Sequence, residues 1–168
     1  KYMEGHANII GGAVIDSGNF DWEQNDKFPG LTQPDESYHG AVYTKDFGKA
    51  GYITKIVAQL LRDYGSTPAP QNSYYLNLGL ETLSVRMKRY CENALTVAKF
   101  LKESDKIENV DYPFLEGDSQ YELAKKYLKG ASGVISVNIK GGRAGAVRFM
   151  DSLKLASNEV HVADIRTC

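Results

Sequence analysis

LETLSVRMKRYCENALTVAKFL, residues 80–101, repeats its apolar side chains at steps of three and four residues. This spacing places them on one face of an α-helix of about six turns. An amphipathic helix of this kind is expected to bury its apolar face against a neighbouring element. The repeat consists of Leu80, Leu83, Met87, Tyr90, Cys91, Ala94, Leu95, Ala98 and Leu101.

Strand and helix signals alternate downstream of this helix. Residues 107–110 are expected to form a short strand, and Ser119-Gln120-Tyr121-Glu122 is a capping-box pattern that predicts the start of a helix ending at Gly130. Residues 134–139 alternate as a half-buried strand does, and a helix is expected after Gly141-Gly142. With a last strand at 155–162, the order helix, strand, helix, strand, helix, strand predicts an α/β fold in which helices cover a sheet.

Three segments precede the long helix. Residues 8–16 are mostly apolar and β-branched, which predicts a buried strand, and residues 52–64 fit a helix that Gly65 ends. Between them, residues 17–51 are broken by Gly and Pro and predict a long loop. Its aromatic side chains predict an ordered segment, residues 19–43, that packs against another polypeptide. The aromatic residues of this segment are Phe20, Trp22, Phe28, Tyr38 and Tyr43.

The composition is that of an ordinary globular protein, with 42% hydrophobic and 24% charged residues in a chain of 168. The net charge of −1 gives no reason to expect a nucleic-acid or membrane partner. The two cysteines, Cys91 and Cys168, do not predict a disulfide framework, and a reducing compartment fits this usage. No His/Cys/Asp cluster has zinc spacing, so no metal is predicted.

Both ends of the sequence predict a piece of a longer chain. It opens on Lys1 without an initiator Met or a signal peptide, and it closes on Cys168 without a helix stop or a polar tail. A terminal lysine taken alone is normally a solvated charge.

The residues after Lys1 add a specific pattern. Lys1-Tyr2-x-x-Gly5-His6, followed by Gly11-Gly12, resembles the sequence around the Schiff-base lysine of the Cys/Met-metabolism family of pyridoxal-phosphate (PLP) enzymes. In this resemblance Gly5 and His6 let the backbone turn away from the cofactor, and the glycine pair passes close to it.

The resemblance extends in order over nearly all 168 residues. Three segments look like the insertion of the O-acetylhomoserine sulfhydrylase branch of the family, one resembles the long helix that joins the two domains, and two resemble the small domain. They are residues 18–22, 28–32 and 37–40, then 78–94, then 121–124 and 152–155.

The resemblance implies the type I fold of PLP-dependent transferases, which is the aspartate aminotransferase-like fold. Residues 1–82 would complete the large PLP-binding domain, and residues 83–168 would form most of a smaller, truncated α/β domain. The chain would thus be a C-terminal fragment that starts at the PLP lysine.

The resemblance also implies an activity in methionine and cysteine biosynthesis. Lys1 would bind PLP as a Schiff base and then act as general base and acid. Acetate would leave the γ-carbon of O-acetylhomoserine, and sulfide or methanethiol would add to give homocysteine or methionine. The alternatives are a methionine γ-lyase, a cystathionine γ-synthase or γ-lyase, or a folded remnant without catalysis.

Four further residues are candidates for a role. The resemblance implies that His161 binds substrate, because it lies where relatives have Ser or Asn beside the substrate carboxylate; a structural histidine is the alternative. His6 and His39 are interpreted as structural turn residues, and Cys91 as part of the core.

The rest of the site implied by the resemblance lies on either side of this sequence. The phosphate-binding turn, the aromatic residue that stacks on the cofactor and the Asp at the pyridine nitrogen precede Lys1, and the carboxylate-binding Arg follows Cys168. We therefore expect the 168-residue chain to be inactive by itself. Its expected partners are small-molecule substrates, the upstream half of its own chain and further copies in a cytoplasmic homotetramer.

Overall fold

The computed structural model describes residues 1–166. The chain divides into two compact units, which are considered separately. The aromatic unit contains Gly11–Pro70, and the lysine unit contains Lys1–Ile10 together with the chain from Gln71 onward. The predicted boundary between a large domain of residues 1–82 and a small domain of residues 83–168 stays a prediction.

The aromatic unit is built from short helical turns. The helix predicted at 52–64 is confirmed, and it ends before Gly65 as expected, although its middle is a π-helical segment that periodicity did not reveal. The elements are α1 (Pro29–Thr32), a 3-10 turn (Glu36–Tyr38), α2 (Tyr43–Asp46), a 3-10 turn (Gly48–Ala50), α3 (Gly51–Lys55), the π segment (Ile56–Leu61) and α4 (Arg62–Tyr64).

Aromatic rings hold this unit together. Trp22 stacks on Tyr52 with ring centroids 5.0 Å apart, and Phe28 meets Trp22 edge-on at 5.1 Å. Phe20 lies edge-on to Trp22 at 4.6 Å. Aromatic pairs in these geometries are attractive beyond the area they bury. The segment is therefore packed within its own unit, while its packing against another polypeptide stays a prediction.

Tyr43 is the buried centre of the unit, with 0% of its surface exposed. The Nζ of Lys55 lies 4.7 Å from the centre of its ring and 2.9 Å from Oδ2 of Asp35. Hydrogen bonds from Ser37 and Lys55 lower the pKa of Asp35 to about 2. The charged pair therefore ties α3 to the segment that precedes α2.

The lysine unit is organised by one long helix, α5 (Pro70–Lys102). The helix predicted from Leu80 is confirmed, but it starts earlier because Pro70 occupies its first position, where a missing N–H costs nothing. None of the helices in residues 1–166 combines the length and the apolar character needed to cross a bilayer.

The core of the unit lies between α5 and the segment after strand β1 (Ile107–Asp111). Ala94 and Ala98 present small side chains from the helix, and Tyr112 and Leu115 pack against them. The partly buried apolar residues around this cluster are Leu95, Val110, Phe114, Ala131 and Ile135.

The sheet of the unit has two antiparallel strands, β1 and β2 (Ser136–Ile139). Ile107 pairs with Ile139 and Asn109 with Asn138, so Glu108 is an extra residue that forms a β-bulge. These strands confirm the short strand predicted from Ile107 and the half-buried strand predicted at 134–139. Helix α6 (Tyr121–Tyr127) lies between the strands in sequence, and α7 (Gly142–Asp151) follows β2.

Two of the predicted strands are wrong. Residues 8–16 and 155–162 contain no strand, and side chains that were expected to be buried are exposed, including Ile10, Ile15 and Leu155. In the described part of the chain β1 and β2 pair only with each other. Apolar sequence alone cannot form a strand when no neighbouring strand accepts its backbone hydrogen bonds.

The predicted capping box also does not form. Helix α6 begins after Gln120, whose side chain makes no capping hydrogen bond, and it ends at Tyr127, before Gly130. Asp118 organises this entry instead, since its carboxylate accepts from the backbone N–H groups of Gln120 and Tyr112. Asp118 therefore orders the chain before α6 through Gln120 and Tyr112.

Tyr112 provides a test of this core. Its hydroxyl donates to the carbonyl of Ser132 at 3.0 Å, so Tyr112→Phe should lower the free energy of unfolding by about 1–2 kcal/mol. Burial raises the pKa of Tyr112 to about 12. Because an unfolded tyrosine loses its proton near its ordinary pKa of about 10, the wild-type advantage should fall between pH 10 and 12. Urea unfolding measures both effects, with the exposed Tyr127→Phe as control; equal stability of the two variants would contradict the prediction.

Candidate functional site

The lysine singled out by sequence lies on a closed turn of backbone. The N–H of Gly5 donates to the carbonyl of Lys1 at 3.0 Å, and Gly5 has φ of +82°, a conformation that favours glycine. Lys1 is exposed, and within residues 1–166 no group hydrogen-bonds or ion-pairs with its Nζ. The turn therefore has a defined backbone while leaving the lysine amine available. We call Lys1–Gly5 the lysine turn.

Arg86 of helix α5 binds the lysine turn through backbone carbonyls. Its Nη1 donates to the carbonyl of Tyr2 at 2.8 Å, and its Nη2 donates to the carbonyl of Met3 at 3.2 Å. The same Nη2 donates to the carbonyl of Gly79 at 2.8 Å, and Nε donates to Thr82 Oγ1 at 3.0 Å. Hydrogen bonds from an ionised donor contribute about 1.5–3 kcal/mol each.

Gly79 lets the lysine turn lie directly on the helix. A Cβ at this position would lie 2.5 Å from the Cα and the carbonyl oxygen of Glu4. Glycine is normally a poor residue in a helix interior, so its presence here is explained by backbone contact. Gly79, Thr82 and Arg86 are spaced by three and four residues and therefore share one face of α5.

The other side of the lysine turn meets the chain near its far end. The N–H of Ile165 donates to the carbonyl of Gly5 at 2.8 Å. The hydroxyl of Tyr90 donates to the carbonyl of Asp164 at 3.2 Å, and the Tyr2 ring packs on that of Tyr90 with centroids 5.6 Å apart. The segment that contains His161 is thus joined to the segment that contains Lys1.

His161 lies beside a buried carboxylate. Its Nε2 is 3.5 Å from Oδ2 of Asp164, and about a third of the His161 side chain is exposed. The carboxylate of Asp164 accepts hydrogen bonds from the backbone N–H and the guanidinium of Arg166. These bonds hold the pKa of Asp164 well below its ordinary value. The carboxylate therefore stays ionised and anchors this segment.

His6 and His39 lie in turns as expected, whereas Cys91 lies outside the buried core cluster. His6 is in the turn after Gly5, where the Glu4 carboxylate accepts its backbone N–H at 2.9 Å, and His39 has left-handed backbone at the end of a 3-10 turn. Cys91 is half-buried on α5, beside Gly130. Residues 1–166 contain no group of three or more His, Cys, Asp or Glu side chains arranged to hold a metal ion.

The sequence pattern of the Cys/Met metabolism PLP-dependent enzymes matches residues 1–168. The chain belongs to this family. It is 43% identical over 169 residues to a homocysteine synthase of Schizosaccharomyces pombe, and 40% identical over 168 residues to O-acetyl-L-homoserine sulfhydrylase 1 of Thermus thermophilus. Each alignment covers 99% of this chain but 39% and 40% of the relative, so the chain spans about two fifths of the length of these relatives.

Solved structures agree with this family membership. A Campylobacter jejuni protein described as a putative O-acetylhomoserine (thiol)-lyase superposes with a TM-score of 0.76 at 33% identity, over 99% of this chain and 40% of that chain. That structure contains a lysine joined to the cofactor as N'-pyridoxyl-lysine-5'-monophosphate. An O-acetylhomoserine sulfhydrylase of Wolinella succinogenes superposes with a TM-score of 0.61 at 27% identity, over 74% of this chain and 36% of that chain. The predicted family and its type I fold are thereby confirmed.

Gly79→Ala tests the contact between the lysine turn and α5. In an open helix this change would stabilise by about 0.5–1 kcal/mol, because alanine is the better helix former. Here the added methyl meets the backbone of Glu4, so we expect a loss of about 1–3 kcal/mol. Chemical denaturation of the variant, compared with the exposed Ser84→Ala on the same helix, gives the sign. A more stable Gly79→Ala protein would show that the turn does not rest on the helix.

Proposed function

We propose that this chain is part of an O-acetylhomoserine sulfhydrylase in which Lys1 holds PLP. The reaction replaces the acetate on the γ-carbon of O-acetylhomoserine by sulfide: one C–O bond breaks, one C–S bond forms, and homocysteine and acetate are released without net oxidation. Methanethiol would give methionine in the same way. The observation that supports Lys1 best is a lysine with an unengaged amine on a turn whose backbone is held from two sides.

The lysine turn fits a covalently attached cofactor. When bound, PLP supplies an electron sink that makes the substrate Cα and Cβ protons removable. The Lys1 amine is the group that would hold the cofactor and then move protons at these carbons, which requires an unprotonated amine near the reacting atoms. A side chain without other partners and with a fixed backbone can serve both purposes.

We assign His161 to substrate binding within this proposal. Its ring is partly exposed, lies against the ionised Asp164, and belongs to the segment that hydrogen-bonds to the lysine turn. In this role an imidazole N–H of His161 would donate a hydrogen bond to the substrate carboxylate. The alternative is a structural histidine whose position is determined by its contacts within the protein, including Asp164.

Other reactions of the family use the same cofactor lysine, so a γ-lyase or a γ-synthase is the second candidate. The names of the relatives favour the sulfhydrylase, since homocysteine synthases and O-acetylhomoserine sulfhydrylases match over 99% of the chain. Product analysis separates the reactions, because a γ-lyase releases an α-keto acid and ammonia, whereas the sulfhydrylase and a γ-synthase retain the amino group and differ in the thiol that they add.

Lys1→Ala tests the assignment in the complete polypeptide that contains this sequence. Both the anchor and the proton-transferring amine are lost, so we expect the visible absorbance of lysine-bound PLP to disappear and homocysteine formation to fall by about 10³-fold or more. Lys88→Ala on the exposed face of α5 is the control and should leave both unchanged. Turnover of Lys1→Ala close to that of the parent would refute the role of Lys1.

The 168-residue chain by itself is expected to be inactive, because the resemblance places the phosphate cradle and the pyridine partner of the cofactor outside it. An assay with added PLP, O-acetylhomoserine and sulfide measures homocysteine against an enzyme-free blank. Product above that blank would contradict this expectation.

We also propose a cytoplasmic homotetramer for the complete enzyme. The support is an aromatic unit that exposes about half of the side chains of Phe20, Val57 and Leu60, which is apolar surface that a partner subunit could cover. Light scattering of the complete enzyme measures the assembly directly, and a monomer or a dimer at micromolar concentration would refute the proposed tetramer.

A further inference from the structure

The guanidinium of Arg86 donates its hydrogen bonds mainly to backbone carbonyls. Three of its hydrogen bonds end on backbone carbonyls, those of Tyr2, Met3 and Gly79, and the fourth ends on Thr82. No carboxylate of residues 1–166 lies within ion-pair distance of it. The Arg86 cation therefore links the backbone of the lysine turn to helix α5.

The position of Arg86 on the helix explains this geometry. Side chains of a helix lean toward its N-terminus, which brings the guanidinium of Arg86 over Thr82 and Gly79. Thr82 receives Nε and so orients the plane of the guanidinium, while Gly79 leaves room for the turn. The Nη1 and Nη2 atoms of the guanidinium can then donate to the consecutive carbonyls of Tyr2 and Met3.

We propose that Arg86 is a positioning residue for Lys1, fixing the direction in which the lysine side chain leaves the backbone. The inference rests on the proposed function, in which Lys1 holds PLP. Arg86 contacts the carbonyls of Tyr2 and Met3 and does not need to touch the cofactor or the substrate. By holding the Tyr2–Met3 and Met3–Glu4 peptide groups, which follow the Lys1–Tyr2 peptide, it limits the positions that the lysine Cα can take.

A second contact makes the restraint effective. The Gly5 N–H donates to the carbonyl of Lys1, so Lys1 belongs to the same closed turn as the peptide groups that Arg86 holds. Gly5 has no side chain, and a Cβ at this position would lie 2.6 Å from Nη1 of Arg86. The Arg86 guanidinium thus contacts the lysine turn through two hydrogen bonds and through close packing against Gly5. Loss of the guanidinium would therefore remove several restraints on the turn at once.

The test uses Arg86→Met, which keeps the aliphatic stem, and Arg86→Lys, which keeps the charge but lacks the planar fork. Arg89→Met is the matched control, since Arg89 is on the same helix, is exposed, and pairs only with Glu92 among the residues the structure describes. Each variant is made in the complete polypeptide. The readout is the pH midpoint of the absorbance of lysine-bound PLP, recorded without substrate.

For Arg86→Met we expect the midpoint to move by about 0.5 pH unit or more toward the value of the same cofactor bound to a solvent-exposed lysine peptide. We also expect kcat to fall about tenfold while KM changes less than about twofold, because misplacement of a reacting group affects the chemical step. Arg86→Lys should lie between wild type and Arg86→Met, and Arg89→Met should match wild type.

A positioning role differs from a structural one in these readouts. Thermal unfolding of Arg86→Met measures its structural contribution. If the unfolding temperature falls while the pH midpoint of the PLP absorbance and kcat stay at wild-type values, Arg86 only stabilises the fold and the inference is overturned. If Arg86→Met does not fold, Arg86→Lys and Gly79→Ala decide the question, since the latter displaces the turn from the same face of α5 while keeping the guanidinium. Wild-type pH midpoints in both would overturn it.

The outcomes also separate this inference from the proposed function. If the pH midpoint moves as expected but wild type forms no homocysteine, the reaction is wrong and the positioning role stands. If wild type forms homocysteine and Arg86→Met keeps its midpoint and kcat, the reaction stands and the positioning role fails. A wild-type protein without lysine-bound PLP would overturn both.

Discussion

The contact between a backbone turn and one face of a long helix determines where the candidate catalytic lysine lies. Arg86 donates to two carbonyls of the lysine turn and to one carbonyl of its own helix, and Gly79 removes the side chain that would keep the two apart. Each group alone would leave the turn loosely placed. Together they combine directional hydrogen bonds with close packing, which is what a preorganised site requires.

Helix α5 uses small residues for two different purposes along its length. Near its start Gly79 admits the lysine turn, and further along Ala94 and Ala98 admit Tyr112 and the core beside the strands. A larger side chain at either place would separate elements that now touch. Helix α5 therefore contacts both the core of the lysine unit and the lysine turn. A change in that core can reach Lys1 through this helix, through the Gly133 N–H that donates to the Tyr2 hydroxyl at 3.0 Å, or through the contact of Ile165 with Gly5.

Local signals predicted those elements whose hydrogen bonds are satisfied nearby. The repeat at 80–101 is an α-helix whatever it packs on, because its bonds are internal, and strands β1 and β2 pair with each other within the same unit. The apolar segments 8–16 and 155–162 failed for the opposite reason: a strand needs a partner strand, and apolar composition does not state whether one is present. The capping box does not form, since α6 begins after Gln120 and not after Ser119.

For the candidate site, the sequence by itself determined the family and singled out Lys1, because a lysine followed by a specific glycine pattern is a local feature of the chain. The spacing of Gly79, Thr82 and Arg86 is also visible in sequence, but any helix has many such triplets, and nothing local distinguishes this one. Only the tertiary structure decided that its partner is the turn at Lys1, more than seventy residues away, and that Ile165 closes the other side. Hydrogen bonds to backbone carbonyls leave no trace in the identity of the residue that accepts them, since every residue has one.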